Sequence, residues 1–143
     1  KGLSAPVGSM LCGTREFIQK ARKFRKMLGG GTRQAGHLAA AGIVALEQMI
    51  DPLKDDHINA RTLACGLAGI NGIRLDPQNV KTNIIFFELV HPLMDSENFS
   101  RQLESRGIRI LSLTPGLFRA VLNRGVSASQ VDYVLAVVRD LLN

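Results

Sequence analysis

Thr82-Asn-Ile-Ile-Phe-Phe-Glu-Leu-Val90 decides the fold class of this chain. Its centre is β-branched and aromatic, and it is too apolar for a strand with a solvated face. It reads as a strand built into a sheet, ended by His91-Pro92. Toward the C-terminus, Asp95 or Ser96 caps a helix carrying Phe99 and Leu103, and Gly107 closes it. Residues 108–111 read as a second strand, Thr114-Pro115-Gly116 as a turn, and 117–122 as the returning strand. Ser127-Ala-Ser-Gln130 matches a capping box ahead of Val131, Val134, Leu135, Val138 and Leu142 at helical spacing. Toward the N-terminus, Ile73-Arg74-Leu75 alternates like a short strand. The order strand, strand, helix, strand, strand, helix predicts a small α/β unit with a mainly antiparallel sheet.

The front half is different. Residues 7–12 read as a short strand with no visible partner, expected to join a sheet whose other strands are not in this sequence. Thr14 is a plausible N-cap, with Glu16 in the first turn. Phe17, Ile18, Ala21, Phe24 and Leu28 follow at helical spacing, and Gly29-Gly30-Gly31 ends that helix. A second helix over residues 34–50 is apolar nearly all round, which predicts burial on most sides or a large interface. Asp51-Pro52 breaks it, and a third helix runs over 54–68.

Composition bounds the function. The chain has 143 residues, 45% of them hydrophobic, enough for a packed core. Charged residues are 21% and no low-complexity tract occurs, which argues against disorder. The longest apolar run, 38–50, is interrupted by Gly42, Glu47 and Gln48 and is too short to span a membrane. Cys12 and Cys65 form no metal spacing and read as free thiols of a reducing, cytoplasmic compartment. His37, His57 and His91 do not cluster, so no metal site is expected. No nucleophile elbow occurs. Net charge is +6, and between residues 14 and 33 only Glu16 faces Arg15, Lys20, Arg22, Lys23, Arg25, Lys26 and Arg33. That block suits an anion or solvent. Nucleic acid is a poor partner for it: Trp is absent, Tyr133 is the only Tyr, and Phe17 and Phe24 lie on the apolar stripe, so stacking platforms are missing.

Three stretches can carry chemistry. Lys1-Gly-Leu-Ser-Ala-Pro-Val-Gly8 sets a lysine among small residues that let backbone approach a bound group. A lysine so held can form a Schiff base with a carbonyl cofactor, although a solvated terminal lysine reads the same way. Arg25-Lys-Met-Leu-Gly-Gly-Gly-Thr-Arg-Gln-Ala-Gly36 offers main-chain N–H groups, a helix start, Lys26 and Arg33 to an anion; the plain alternative is a flexible basic loop. It matches neither the P-loop nor the dinucleotide fingerprint. Arg119 sits inside Leu117-Phe-Arg-Ala-Val-Leu122, facing either solvent or a planar carboxylate. Asn83 reads as a strand-end hydrogen-bonding residue.

Together, Lys1-Gly-Leu-Ser-Ala-Pro-Val-Gly-Ser9, the glycine-loop stretch 25–36, Lys81-Thr-Asn-Ile-Ile-Phe-Phe-Glu88 and Arg119-Ala-Val121 resemble the low-specificity L-threonine aldolases, pyridoxal phosphate (PLP) enzymes of fold type I. The likeness covers the whole chain in order and rough spacing. It implies the C-terminal part of such an enzyme, inactive alone, that needs a preceding N-terminal part: residues 1–35 ending the PLP-binding large domain, 36–70 a helical connector, and 71–143 a small C-terminal α/β domain. It implies that Lys1 holds PLP, that Lys26, Gly30, Gly31 and Arg33 line the cofactor pocket, and that Arg119 takes the carboxylate of an amino-acid substrate. It implies cleavage of L-threonine or L-allo-threonine to glycine and acetaldehyde by a homotetrameric dimer of dimers, with no nucleic acid or membrane partner. The family often has Arg-x-Val-Thr-His where this chain has Arg119-Ala-Val-Leu-Asn123, so no role carries over to positions 122 and 123. Two other readings stand beside it: a basic anion- or nucleic-acid-binding module, and a non-catalytic scaffold subunit of the same fold.

Overall fold

The computed structural model describes residues 2–143. They form two compact units, one ending at Asp51 and the other running from Pro52 to Asn143.

The first unit holds two helices, α1 (Arg15–Met27) and α2 (Gly36–Gln48). Thr14 caps α1, its hydroxyl accepting from the Phe17 N–H at 3.3 Å. Glu16 pairs with Lys20 one turn on, at 2.7 Å. At the other end Gly30 N–H donates to Arg25 O (2.8 Å) and Gly29 N–H to Lys26 O (3.2 Å). These are the paired bonds of a Schellman cap, and Gly29 takes the left-handed φ of +81° that the cap requires. No residue of α1 is buried. In α2 only Ala45 is buried. The expectation that α2 is buried on most sides is therefore not met within the described residues. The strand expected over 7–12 is not formed either. No described strand pairs with it, and an unpaired strand leaves its own N–H and C=O groups without sheet partners.

The second unit comprises α3 (Leu53–Ala68), β1 (Ile73–Arg74), β2 (Ile84–Leu89), α4 (Ser96–Ser105), β3 (Leu111–Thr114), β4 (Leu117–Val121) and α5 (Ala128–Leu142). The sheet order is β1-β2-β4-β3 and every pairing is antiparallel. Strand β2 forms where expected, but with an open face: Ile85, Phe87 and Leu89 are buried while Ile84 and Phe86 are exposed, against the expectation that so apolar a strand has no solvated face. Side chains alternate across a strand, and among the described residues the helices cover one face only. The buried face meets α3, α4 and α5 across a core centred on Phe87, Phe99 and Phe118. Phe118 stacks on Phe87 (centroids 5.4 Å apart) and meets Phe99 edge-on (5.3 Å). Gly66 lets α3 approach α5; a Cβ there would lie 2.4 Å from Leu135 Cδ1. Ser127 and Gln130 form the expected capping box of α5.

The strand expected over 108–111 is displaced to 111–114. A second Schellman cap explains the shift. Gly107, at φ +77°, donates to Glu104 O, and Ile108 N–H donates to Leu103 O, both at 2.9 Å. Ile108 and Leu103 are both buried in the core, the apolar contact that accompanies such a cap. Ile108 therefore belongs to the end of α4 and is not available to start a strand.

Candidate functional site

The sheet's second face holds Arg119, the arginine singled out in the sequence. In β4 the side chains of Phe118 and Ala120 are buried in the core, so Arg119 projects from the opposite face. The register sets Phe86 of β2 on one side of it and Leu111 of β3 on the other. Ile84 and Val121 pair on the same face one rung away. Arg119 thus stands in an apolar surround, and its Nε is buried with no hydrogen-bond partner. A buried guanidinium N–H without an acceptor is costly, and a planar carboxylate is the group its fork fits.

A second arginine lies on that face. Arg74 of β1 is paired with Glu88 of β2, and Glu88 with Leu117 of β4. Arg74 Nε donates to Glu88 Oε2 at 2.9 Å, and its Nη2 contacts the same oxygen. So one arginine of the face has its carboxylate and the other has none. Neither Arg74 nor Glu88 attracts notice in the sequence. The alternation Ile84-Phe86-Glu88 was the available signal, but it names no partner without the register.

Asn83 proves to be a strand clasp. Its Nδ2 contacts Leu122 O, and Leu122 N–H donates back to Asn83 O at 2.9 Å. His91 packs its ring against Gly72, whose φ is +87°, and its Nδ1 accepts from Leu93 N–H at 3.3 Å. Among the described residues no group of three His, Cys, Asp or Glu side chains is arranged to hold a metal.

The glycine loop belongs to the first unit. Lys26, Gly30, Gly31 and Arg33 are all exposed. Because Gly30 N–H turns back to cap α1, it does not point outward as an anion donor. A Cβ at Gly30 would lie 2.6 Å from Arg25 Cγ, so the glycine is needed for the cap itself. Around Gly31 there is open space, the nearest neighbour of an added Cβ being Lys26 Cγ at 4.0 Å. The following helix α2 has Ala35 at its N-cap position, no side-chain cap and no acidic residue in its first turn. Its free N–H groups and positive dipole end therefore follow directly on Arg33. Gln34 adopts the left-handed region at φ +51°, uncommon for a non-glycine residue. Ser4, close to the first residue, does the same at φ +63°. Lys1 itself lies outside the described residues.

Comparison with known proteins bears on the family and the fold. The family model described as "Beta-eliminating lyase" matches residues 1–89. A probable low-specificity L-threonine aldolase 2 of Arabidopsis thaliana is 42% identical over 95% of this chain and 39% of its own length. A low-specificity L-threonine aldolase of Escherichia coli K12 is 38% identical over 99% of this chain and 40% of its own. The chain thus spans about two fifths of the length of the curated relatives it matches. Among solved structures, the cystine C–S lyase C-DES, in complex with its reaction product cysteine persulfide, superposes with a TM-score of 0.61. That match covers 74% of this chain and 28% of the lyase at 19% identity, and it establishes the fold: the α/β architecture of PLP fold type I enzymes, with a small antiparallel sheet. By the match over residues 1–89, the chain belongs to the beta-eliminating lyase family.

Proposed function

We propose that this chain is part of a PLP-dependent threonine aldolase that cleaves L-threonine or L-allo-threonine to glycine and acetaldehyde. The observation that carries the reading is Arg119, a guanidinium with a buried, unpartnered Nε on an apolar sheet face. A carboxylate of an amino-acid substrate supplies the acceptor that this N–H lacks. The names of the aligned relatives supply the substrate class.

The described residues suit an anionic cofactor as well. Lys26, Arg33, the open backbone at Gly31 and the uncapped start of α2 present cationic and N–H donors of the kind that hold a phosphate. The cap geometry gives Gly30 a different part, shaping the loop. Lys1 is the amine we assign to attach the cofactor. When bound, PLP supplies an electron sink for the carbanion left at Cα. Arg119 anchors the substrate carboxylate and so fixes which bond at Cα is cleaved. Phe86 and Leu111 flank it in the sheet register and give the site apolar neighbours. The β-hydroxyl proton must pass to a base, and none of the described residues is assigned that task.

Within such an enzyme we assign residues 1–35 to the large domain, 36–70 to a connector and 71–143 to the small domain. The exposed apolar surface of α2, including Ile43, Val44 and Leu46, supports a homo-oligomer, which we take as a dimer of dimers. Cys12 and Cys65 are free and exposed, in keeping with a reducing compartment such as the cytoplasm. No described helix is long and apolar enough to cross a membrane.

The test is to incubate the full-length protein with PLP and L-threonine and follow acetaldehyde and glycine. Equimolar release of the two is expected. A protein that binds PLP but releases neither from threonine or allo-threonine would overturn the reading.

A further inference from the structure

We propose that Arg74 is a positioning residue that keeps Glu88 away from Arg119 and so leaves Arg119 free for a substrate carboxylate. This rests on the assignment of Arg119 to that carboxylate. Among the residues paired in the sheet, Glu88 is the only carboxylate, and it lies on the same face as Arg119. Phe86 is directly opposite Arg119, and Glu88 is two residues further along β2. Diagonal neighbours of that kind sit roughly 7–8 Å apart, within reach of long side chains. A guanidinium whose buried Nε lacks an acceptor and a glutamate at that spacing should find each other. They do not, because Glu88 is held from its other side. Arg74, directly across from it on β1, donates from both Nε and Nη2 to Glu88 Oε2. Two donors on one oxygen turn the carboxylate toward the β1 edge and away from Arg119.

The device is a three-residue row. Arg74 and Glu88 neutralise each other, and Arg119 keeps its charge for an incoming ligand. Since Arg74 touches neither substrate nor cofactor in this scheme, it acts only through Glu88. Loss of Arg74 releases Glu88 to compete with substrate for Arg119, which weakens ground-state and transition-state binding alike.

The experiment compares Arg74→Met, Arg74→Lys, Glu88→Gln and the Arg74→Met/Glu88→Gln double variant in the full-length holoenzyme. Arg74→Met should raise KM for threonine about threefold or more with kcat unchanged, as expected for an internal competitor. Arg74→Lys, Glu88→Gln and the double variant should keep the unmodified KM, since each either retains the pair or removes the competitor. An unaltered KM in Arg74→Met would overturn the proposal. So would a double variant as impaired as Arg74→Met, which would mean that loss of Arg74 merely loosens β1.

A second readout does not depend on turnover. The Nε–H resonance of Arg119, identified by its loss in Arg119→Lys, should move in ligand-free Arg74→Met and return in the double variant. If it does not move, Glu88 does not reach Arg119 and the proposal fails. If it moves as expected but neither glycine nor acetate shifts it in the unmodified protein, the row stands and the assignment of Arg119 to substrate falls instead.

Discussion

Replacing Arg119 by Met should make the protein more stable and less able to bind substrate, two effects of opposite sign from one change. Methionine keeps most of the aliphatic stem at a position flanked by Phe86 and Leu111 in the sheet register but removes the guanidinium. In the ligand-free protein the Nε of Arg119 is buried with no acceptor. Burying such a group unsatisfied costs about 1–3 kcal/mol, so its removal should return on the order of 1 kcal/mol after some loss of packing. With substrate present the balance reverses. The lost hydrogen bonds to a carboxylate are worth about 1.5–3 kcal/mol, roughly a 10- to 150-fold fall in kcat/KM. Urea unfolding of the cofactor-free protein, with and without the substitution, measures the first effect, and steady-state cleavage of threonine measures the second. A variant that is less stable and equally active would refute the reasoning, since it would make Arg119 a structural residue. The combination of higher stability and lower activity is the signature of a group kept for function at a cost to the fold.

Three other outcomes follow from the geometry. Phe118→Ala should destabilise the protein by about 3–5 kcal/mol, because it removes the ring shared by the contacts to Phe87 and Phe99; the midpoint of urea unfolding reports it. Gly66→Ala should cost about 1–2 kcal/mol in the same measurement, since overpacking against Leu135 outweighs alanine's better helix propensity. Arg33→Ala should weaken PLP binding about tenfold, scored by equilibrium dialysis, while leaving unfolding of the cofactor-free protein unchanged because the side chain is exposed.

What could be read from the sequence was what depends on near neighbours. Thr14, Asp95 and Ser127 each cap the helix they precede, because a cap needs only a hydroxyl or carboxylate and an N–H three residues on. The β-branched and aromatic run at 84–89 gave β2, because strand propensity is also a property of near neighbours. The sequence reading failed where a competing bond decided the outcome. Ile108 looks like the first residue of a strand, but its N–H closes the cap of α4. Gly30 looks like an anion donor, but its N–H closes the cap of α1. Residues 7–12 have a strand's composition and no strand beside them among the described residues. Arg119 could be singled out as an arginine in an apolar strand. Only the register reveals that Phe86 and Leu111 flank it and that Glu88, its natural partner, is taken by Arg74. Pairings between residues 8, 14 and 33 positions apart are set by the sheet, and local pattern does not contain them.

Lys1 is proposed to attach the cofactor of a threonine aldolase. Reduction of the PLP-loaded full-length protein with borohydride, followed by peptide mapping, tests it most directly. The visible absorption band should disappear, the pyridoxyl mass should be found on Lys1, and Lys1→Ala should abolish both the label and threonine cleavage. A label on another lysine, or a Lys1→Ala protein that keeps the band and the activity, would contradict it.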